Sequence, residues 1–285
     1  MKTIGEFEQL DLYVQKAGSS EAPLSLLSAG IVPRDFIIES PELMTTYEEA
    51  AGLNGSIDMG AVYGKRYMVG DFYAKAADEY DFHAMRDEIF ALFNGPEPFY
   101  ITESREPGKR WLVRTEGRYS LDRQRTYGFF QINFVSASPF AESIVRTSEN
   151  EFRFDSAKLQ FSQGIPTEPL VYRFTTPSFR VYNAGDVTVD WRSQDAVLTF
   201  KGASTNLRIR NLTSGADWRI TDGGQTTAND TVRLERGCRA LRNGLSIVAS
   251  TNLAAFTLAP GWNEIRIEGS SGSIETAFDF RFLYL

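Results

Sequence analysis

The chain contains one histidine, His83, and one cysteine, Cys238, so nucleophilic or soft-metal chemistry would have to pass through them. A Ser-His-Asp or Cys-His mechanism needs nucleophile, base and orienting group within hydrogen-bond reach. No Gly-x-Ser-x-Gly elbow accompanies His83, which falls in the first turn of an amphipathic helix, while Cys238 lies in the other half of the chain. A lone cysteine excludes an internal disulfide, and with a single histidine no zinc cluster can be assembled. Gly60-Ala61-Val62-Tyr63-Gly64-Lys65 has a faint likeness to a phosphate loop, but it is too short and lacks the Ser or Thr after Lys. Asp222-Gly223-Gly224 reads as a hairpin turn. The residues after it, Gln225-Thr226-Thr227-Ala228-Asn229-Asp230, offer one carboxylate where calcium takes several oxygen ligands. A glycosidase needs two facing carboxylates; among 37 Asp and Glu residues some pair is always available, so their presence neither supports nor excludes it. The reading is no catalytic residue, no metal ligand, no cofactor, and not an enzyme.

Binding through surfaces is the remaining chemistry. Trp191, Trp218 and Trp262 lie in or beside predicted strands of the second half, and indole rings either fill cores or serve as stacking platforms for sugars. Trp218 and Trp262 are the candidate glycan or partner contacts, and Trp262 flanks a turn. Asn211-Leu212-Thr213 and Asn229-Asp230-Thr231 match the glycosylation sequon, which has meaning only on a secretory route. A formal net charge of −7 argues against specific nucleic-acid binding, which needs clustered Lys and Arg. No apolar run follows Met1-Lys2, so no signal peptide is expected. Residues 24–32, the most apolar early stretch, are too few to span a bilayer. These features predict a soluble protein without membrane insertion, in a reducing compartment.

With 285 residues and 42% hydrophobic content, the chain can bury a sizeable core and exceeds the usual single-core size, which favours two domains. Residues 81–95 are the one convincing helix: Phe82, Met85, Ile89, Leu92 and Phe93 form an apolar stripe. Asp81 is expected to cap it, Tyr80 to staple onto Met85, and Asn94-Gly95 with Pro96 to stop it. Strands are expected at 11–16, 34–39, from 56–60 onward, 67–74, 98–102, 108–115 and 127–136, with 41–46 open between helix and strand. This is an α+β sheet with one helix across it. Beyond 136–147 the texture becomes short strands separated by turns, at 171–175, 178–183, 187–192, 197–202, 206–211, 217–221, 231–235, 245–249, 255–258, 264–268 and 274–285. Asn243-Gly244 suits a tight hairpin, and Ala259-Pro260-Gly261-Trp262 a type II turn. The expectation is a mainly β protein: an N-terminal α+β domain over 1–142 and a galectin-like or jelly-roll β-sandwich over 143–285.

An ordered set of segments resembles the distal tail protein family of siphophages. In the second half these are Phe179-Arg180-Val181-Tyr182-Asn183-Ala184-Gly185-Asp186, residues 206–215, Leu258-Ala259-Pro260-Gly261-Trp262-Asn263-Glu264-Ile265, and residues 280–285. In the first half they are Leu53-Asn54-Gly55-Ser56, the strand 67–73, Leu92-Phe93 before Pro98-Phe99-Tyr100-Ile101, and residues 130–134 leading into Ser138-Pro139-Phe140. Residues 1–34 match least. The resemblance implies an N-terminal domain that assembles as a homo-hexameric ring, with the galectin-like domain outside it. Such a ring joins the tail tube protein to the tail-tip hub or lysin protein, leaves a channel for DNA, and sits at the virion tail tip after assembly in the bacterial host cytoplasm. Receptor-binding proteins or a host cell-wall saccharide are further partners it implies. The resemblance brings no catalytic residues. A carbohydrate-binding module contacting cell-wall glycan stands as the alternative.

Overall fold

The fold is described from a computed structural model for residues 9–52, 54–93, 95–149 and 163–285. The chain divides into two compact units, Met1–Ala141 with Leu285, and Glu142–Tyr284. Leu53 of the 53–56 run and Asn94 of the expected helix stop lie outside the described residues.

In the first unit the strands are β1 (Leu12–Lys16), β2 (Leu24–Ser25), β3 (Ile31–Ile38), β4 (Leu43–Glu48), β5 (Ile57–Tyr63) and β6 (Arg66–Lys75). After helix α1 (Glu79–Phe93) come β7 (Phe99–Glu103), β8 (Lys109–Glu116), β9 (Asp122–Gln124) and β10 (Tyr127–Ser136). The sheet order is β2-β1-β7-β8-β10-β6-β3, with β9 on β10. Alternation along β6 turns Met68, Gly70, Phe72 and Ala74 inward, and along β10 Phe130, Ile132 and Phe134. Phe93 of the helix meets Phe72 at 5.9 Å, Phe99 at 6.2 Å and Phe134 at 6.0 Å, making one aromatic cluster. The helix can approach this sheet because Gly128 has no side chain: a Cβ there would lie 3.2 Å from the Phe82 ring.

The helix boundaries differ from the sequence reading for local reasons. Asp78, not Asp81, is the N-cap; its Oδ1 accepts from the Tyr80 and Asp81 amides at 2.8 and 2.9 Å. Asp81 reaches back to accept from the Ala77 amide at 2.6 Å, one residue before the cap, a variant of the reciprocal bond of a capping box. Tyr80 points to solvent, so the staple onto Met85 does not form. At the other end Gly95 does not adopt the left-handed conformation. The last helical carbonyl is met instead from β8, by the Thr115 hydroxyl donating to Phe93 O, while Arg114 donates to Pro96 O in the segment that follows.

The second unit contains β11 (Ala141–Ser143), β12 (Arg173–Phe174), β13 (Ser178–Asn183), β14 (Val189–Asp190), β15 (Val197–Asn211), β16 (Asp217–Arg219) and β17 (Gln225–Thr226). It continues with β18 (Thr231–Glu235), β19 (Arg239–Arg242), β20 (Leu245–Ser246), β21 (Thr257–Leu258), β22 (Gly261–Asp279) and β23 (Leu283–Tyr284). Where the sequence suggests separate strands at 197–202 and 206–211, and at 264–268 and 274–285, the chain forms two long strands. Each has an inner and an outer half. Val197–Ser204 pairs with Asp279–Ser270 of β22, and Arg208–Asn211 with Glu268–Ile265, with bulges between. Bulged strands of this kind pass from one layer of a sandwich to the other. The mainly β architecture and sandwich character are as expected.

Two turns behave as their sequences predict: Asn243 and Gly244 both have positive φ between β19 and β20, and Gly261 has φ 82°. A third does not. Asp222-Gly223-Gly224 is no hairpin, because β16 before it and β17 after it both pair with β15, so it loops out of a single edge. Three buried asparagines fix the corners. Asn263 accepts from the Ala259 amide at 2.9 Å and from Asn211 Nδ2 at 2.8 Å, and donates to Ala259 O at 2.7 Å. Asn183 donates to Val187 O at 2.9 Å, closing the turn before β14.

Replacing Phe93 by Ala removes the hub of the aromatic cluster and is expected to lower unfolding free energy by about 3–5 kcal/mol, measured by denaturant titration. Asp230 supplies a pH test. Its carboxylate accepts from the Thr227 amide, Asn243 Nδ2 and Arg242 Nη2 at 2.6–2.7 Å, which together hold its pKa well below the ordinary range. A depressed folded pKa gives stability that is present above about pH 4 and fades as pH falls below it. Asp230→Asn is therefore expected to lower Tm at pH 7, with the gap to wild type narrowing toward pH 2–3.

Candidate interaction surfaces

The arm formed by β4 and β5 is the most exposed apolar feature of the first unit. Strands β3 and β6 pair as far as Ile38 and Met68, and the ribbon continues through Glu39 N to Tyr67 O and Gly64 N to Glu42 O into Leu43 opposite Tyr63. Seven residues of β5 carry it roughly 20 Å beyond that base. Leu43 faces Tyr63 on one side and Met44 faces Val62 on the other, so both sides of the ribbon are apolar. Leu43 is 61%, Tyr47 62%, Met59 59% and Val62 63% exposed. A two-stranded ribbon has no core of its own, and apolar residues on both sides fit a slot between two covering surfaces. A register shift between Thr45 and Tyr47, with Gly60 at φ 102° bonded to Asp58 Oδ1, kinks the ribbon and discourages open-ended strand pairing.

The sequence reading left 41–46 open and so missed this arm. Its signal is in the sequence: the neighbours Leu43-Met44 and Val62-Tyr63 put apolar side chains on opposite faces, which a half-buried strand would not do.

The structure separates the tryptophans. Trp218 is only 2% exposed, with Ile209 opposite it on β15, and is core; it is no stacking platform. Trp191 is also core, and its Nε1 donates to Leu234 O at 3.3 Å. Trp262 is half-buried, with its ring 4.9 Å from that of Tyr182 and the Arg180 guanidinium 4.6 Å from its centroid. The two candidate residues thus lie on opposite faces of the same layer. His83 is exposed on α1, in the first unit, and Cys238 is half-buried in the second, where burial pushes the thiol pKa up. Asp230, the lone carboxylate of the poor calcium loop, has its oxygens committed to Thr227, Arg242 and Asn243. Asn211 of the first sequon is buried, its amide donating to Thr257 O and Asn263. Among the described residues no cluster of His, Cys, Asp and Glu is placed to hold a metal ion, and no helix is long and apolar enough to cross a membrane. Arg66 is buried with Nε and Nη1 unpartnered; it stands 5.3 Å from the Trp111 ring centroid, and desolvation lowers its pKa.

Residues 25–136 match the family model of the phage tail protein RIFT-related domain, which covers most of the first unit. Over both units the chain shares its fold with SPP1 Dit, described as a paradigm of the hub adsorption apparatus in phages infecting Gram-positive hosts. That match has a TM-score of 0.65 at 14% identity, over 95% of this chain and 99% of that one. The resemblance to siphophage distal tail proteins read from the sequence is thus borne out in domain type and fold. A baseplate chain of phage P2 aligns with a TM-score of 0.43 at 7% identity, covering 94% of this chain and 97% of its own. No curated protein sequence matches the chain.

Because Trp218 is core and Trp262 is partly at the surface, their truncations separate. Trp218→Ala is expected to cost about 3–5 kcal/mol in the second unit. Trp262→Ala is expected to cost no more than about half of that. Parallel chemical denaturation of the two variants measures the difference.

Proposed function

We propose that this chain is a structural component of a phage tail tip that works by self-assembly into a closed ring, most simply a hexamer, and carries out no catalysis. The ring joins the tail tube protein to the hub or lysin protein at the tip and leaves a central channel for DNA, with receptor-binding proteins as further partners of the outer unit. The observation that carries this reading is the β4–β5 arm. Its two apolar faces are exposed in the single chain, and a ring of identical subunits supplies each arm with neighbouring surfaces while leaving none of the arms open. The phage-tail domain match over residues 25–136 and the fold shared with SPP1 Dit support the setting.

Light scattering on the purified protein tests the proposal. The expected mass is a closed multiple of 32.0 kDa. Met44→Asp combined with Val62→Asp puts two charges on one side of the arm, where both side chains are exposed, and is expected to give the single-chain mass with the circular dichroism of wild type, its Tm lower only by what assembly adds. A wild type that remains at the single-chain mass at its highest soluble concentration, or a double variant that assembles as well as wild type, overturns it.

A further inference from the structure

The solvent face of the layer formed by β13, β22, β15 and β16 is basic in an otherwise acidic chain. Alternation turns Val181, Ile265, Ile267, Leu207, Ile209 and Trp218 into the core. The residues between them therefore share the outer side: Arg180, Arg266, Arg208, Arg210 and Arg219, with Glu264, Glu268 and Asp217. Five arginines against three carboxylates stand on this face, while the whole chain carries −7.

The strand register makes the arrangement unusual. Arg210 lies directly opposite Arg266 on one side and Asp217 on the other, Arg208 opposite Arg219 on one side and Glu268 on the other, and Arg180 opposite Glu264. Neighbouring strands are about 4.8 Å apart, and like charges facing each other across them destabilise a sheet. Nearby carboxylates relieve only part of this. Arg208 bonds Asp217 Oδ1 at 2.8 Å and Glu268 at 3.3 Å, and Arg210 bonds Glu268 at 3.3 Å. Among the described residues Arg180, Arg219 and Arg266 form no close ion pair with a carboxylate, and Arg219 reaches Asp217 only through its field, which helps to lower the Asp217 pKa after the Arg208 hydrogen bonds. Beyond these ion pairs, the two opposed arginine pairs present forked donors at the spacing of neighbouring strands. At one end of the strip the Tyr182–Trp262 pair adds an aromatic edge.

We propose that this face binds a phosphate-bearing polyol or sugar polymer. Guanidinium groups take the phosphates bidentately. Glu264 accepts hydrogen bonds from hydroxyls, as do the remaining lone pairs of Asp217 and Glu268, whose oxygens already bond Arg208 and Arg210, and a sugar ring fits the edge of Trp262 left free by Arg180. The interleaved carboxylates select this ligand over duplex DNA, which offers few hydroxyls and is repelled by the acidic remainder of the chain.

Calorimetry with the full chain tests this using poly(glycerol phosphate), a neutral dextran of similar length, and a short DNA duplex, each at about 50 and about 200 mM salt. The expected result is salt-dependent binding of poly(glycerol phosphate) and weaker or no binding of the other two. Arg219→Glu with Arg266→Glu, both exposed and unpaired with carboxylates, is expected to weaken that binding by about tenfold or more and to flatten its salt dependence. Arg233→Glu with Arg236→Glu makes the same charge change elsewhere in the unit and is expected to leave it unaltered. Absence of salt-dependent binding, equal affinity for duplex DNA, or equal weakening by the control pair overturns the proposal. None of these outcomes changes the mass of the assembly, so they are distinct from failure of ring formation.

Discussion

Antiparallel pairing between β15 and β22 is the constraint on which the main sheet of the second unit depends. Residues 197–211 and 261–279 are bonded along most of their length, and the other strands of that sheet are placed by what these two leave open at their edges. Strict alternation follows from that pairing. One side of each strand supplies Leu198, Phe200, Leu207, Ile209, Ile265, Ile267 and Phe278 to the core, and the other side must face solvent or a partner. The arginine strip is therefore not a scatter of surface charges. Its members are locked on one face by the ladder that buries the core beneath them, and shifting the register by one residue would exchange the two sets.

The first unit uses pairing differently. Its sheet is half-buried where the helix and the phenylalanine cluster cover it, and the same two strands that edge this sheet continue outward as the β4–β5 arm. A domain that only needed to fold would end that ribbon with a short turn near Ile38 and Met68. The extra length has no role in the unit's own core and exposes apolar side chains on both faces, at a cost in solubility.

Much of this was legible in the sequence, and the exceptions have physical causes. Strong alternation identified β10, β13 and β18 to the residue, since each has one face in the core. Turn chemistry read correctly where φ alone decides, at Asn243-Gly244 and Gly261, and failed at Asp222-Gly223-Gly224, where the question was which strand the flanking residues join. The helix cap was misassigned by three residues because Asp78 and Asp81 are both good caps, and the choice lies in backbone geometry. The helix end depends on Thr115 and Arg114, residues far along the chain that no local rule reaches. The long strands were broken into pieces because bulges at Gly202 and around 205–207 interrupt the period without interrupting the strand. For the interaction surfaces, single residues misled: Trp218 has the composition of a platform and the position of a core residue. The informative signals were pairs, Leu43-Met44 on the arm and the cross-strand arginines, and the second of these needs the register.

The order in which strands pair has a consequence for how the molecule is made. Every strand of the first unit's path, β2-β1-β7-β8-β10-β6-β3, is in place once Ser136 has been synthesised. In the second unit β12 and β13 wait for β22, which begins at Gly261, and β15, which can join β16, β17 and β18 earlier, completes its other edge only then. On a ribosome the first unit can therefore fold, with its arm extended, while the second is still incomplete. The surface that needs neighbours matures early, and the surface that carries the arginines matures last. A nascent chain thus carries its exposed apolar arm before its arginine face exists.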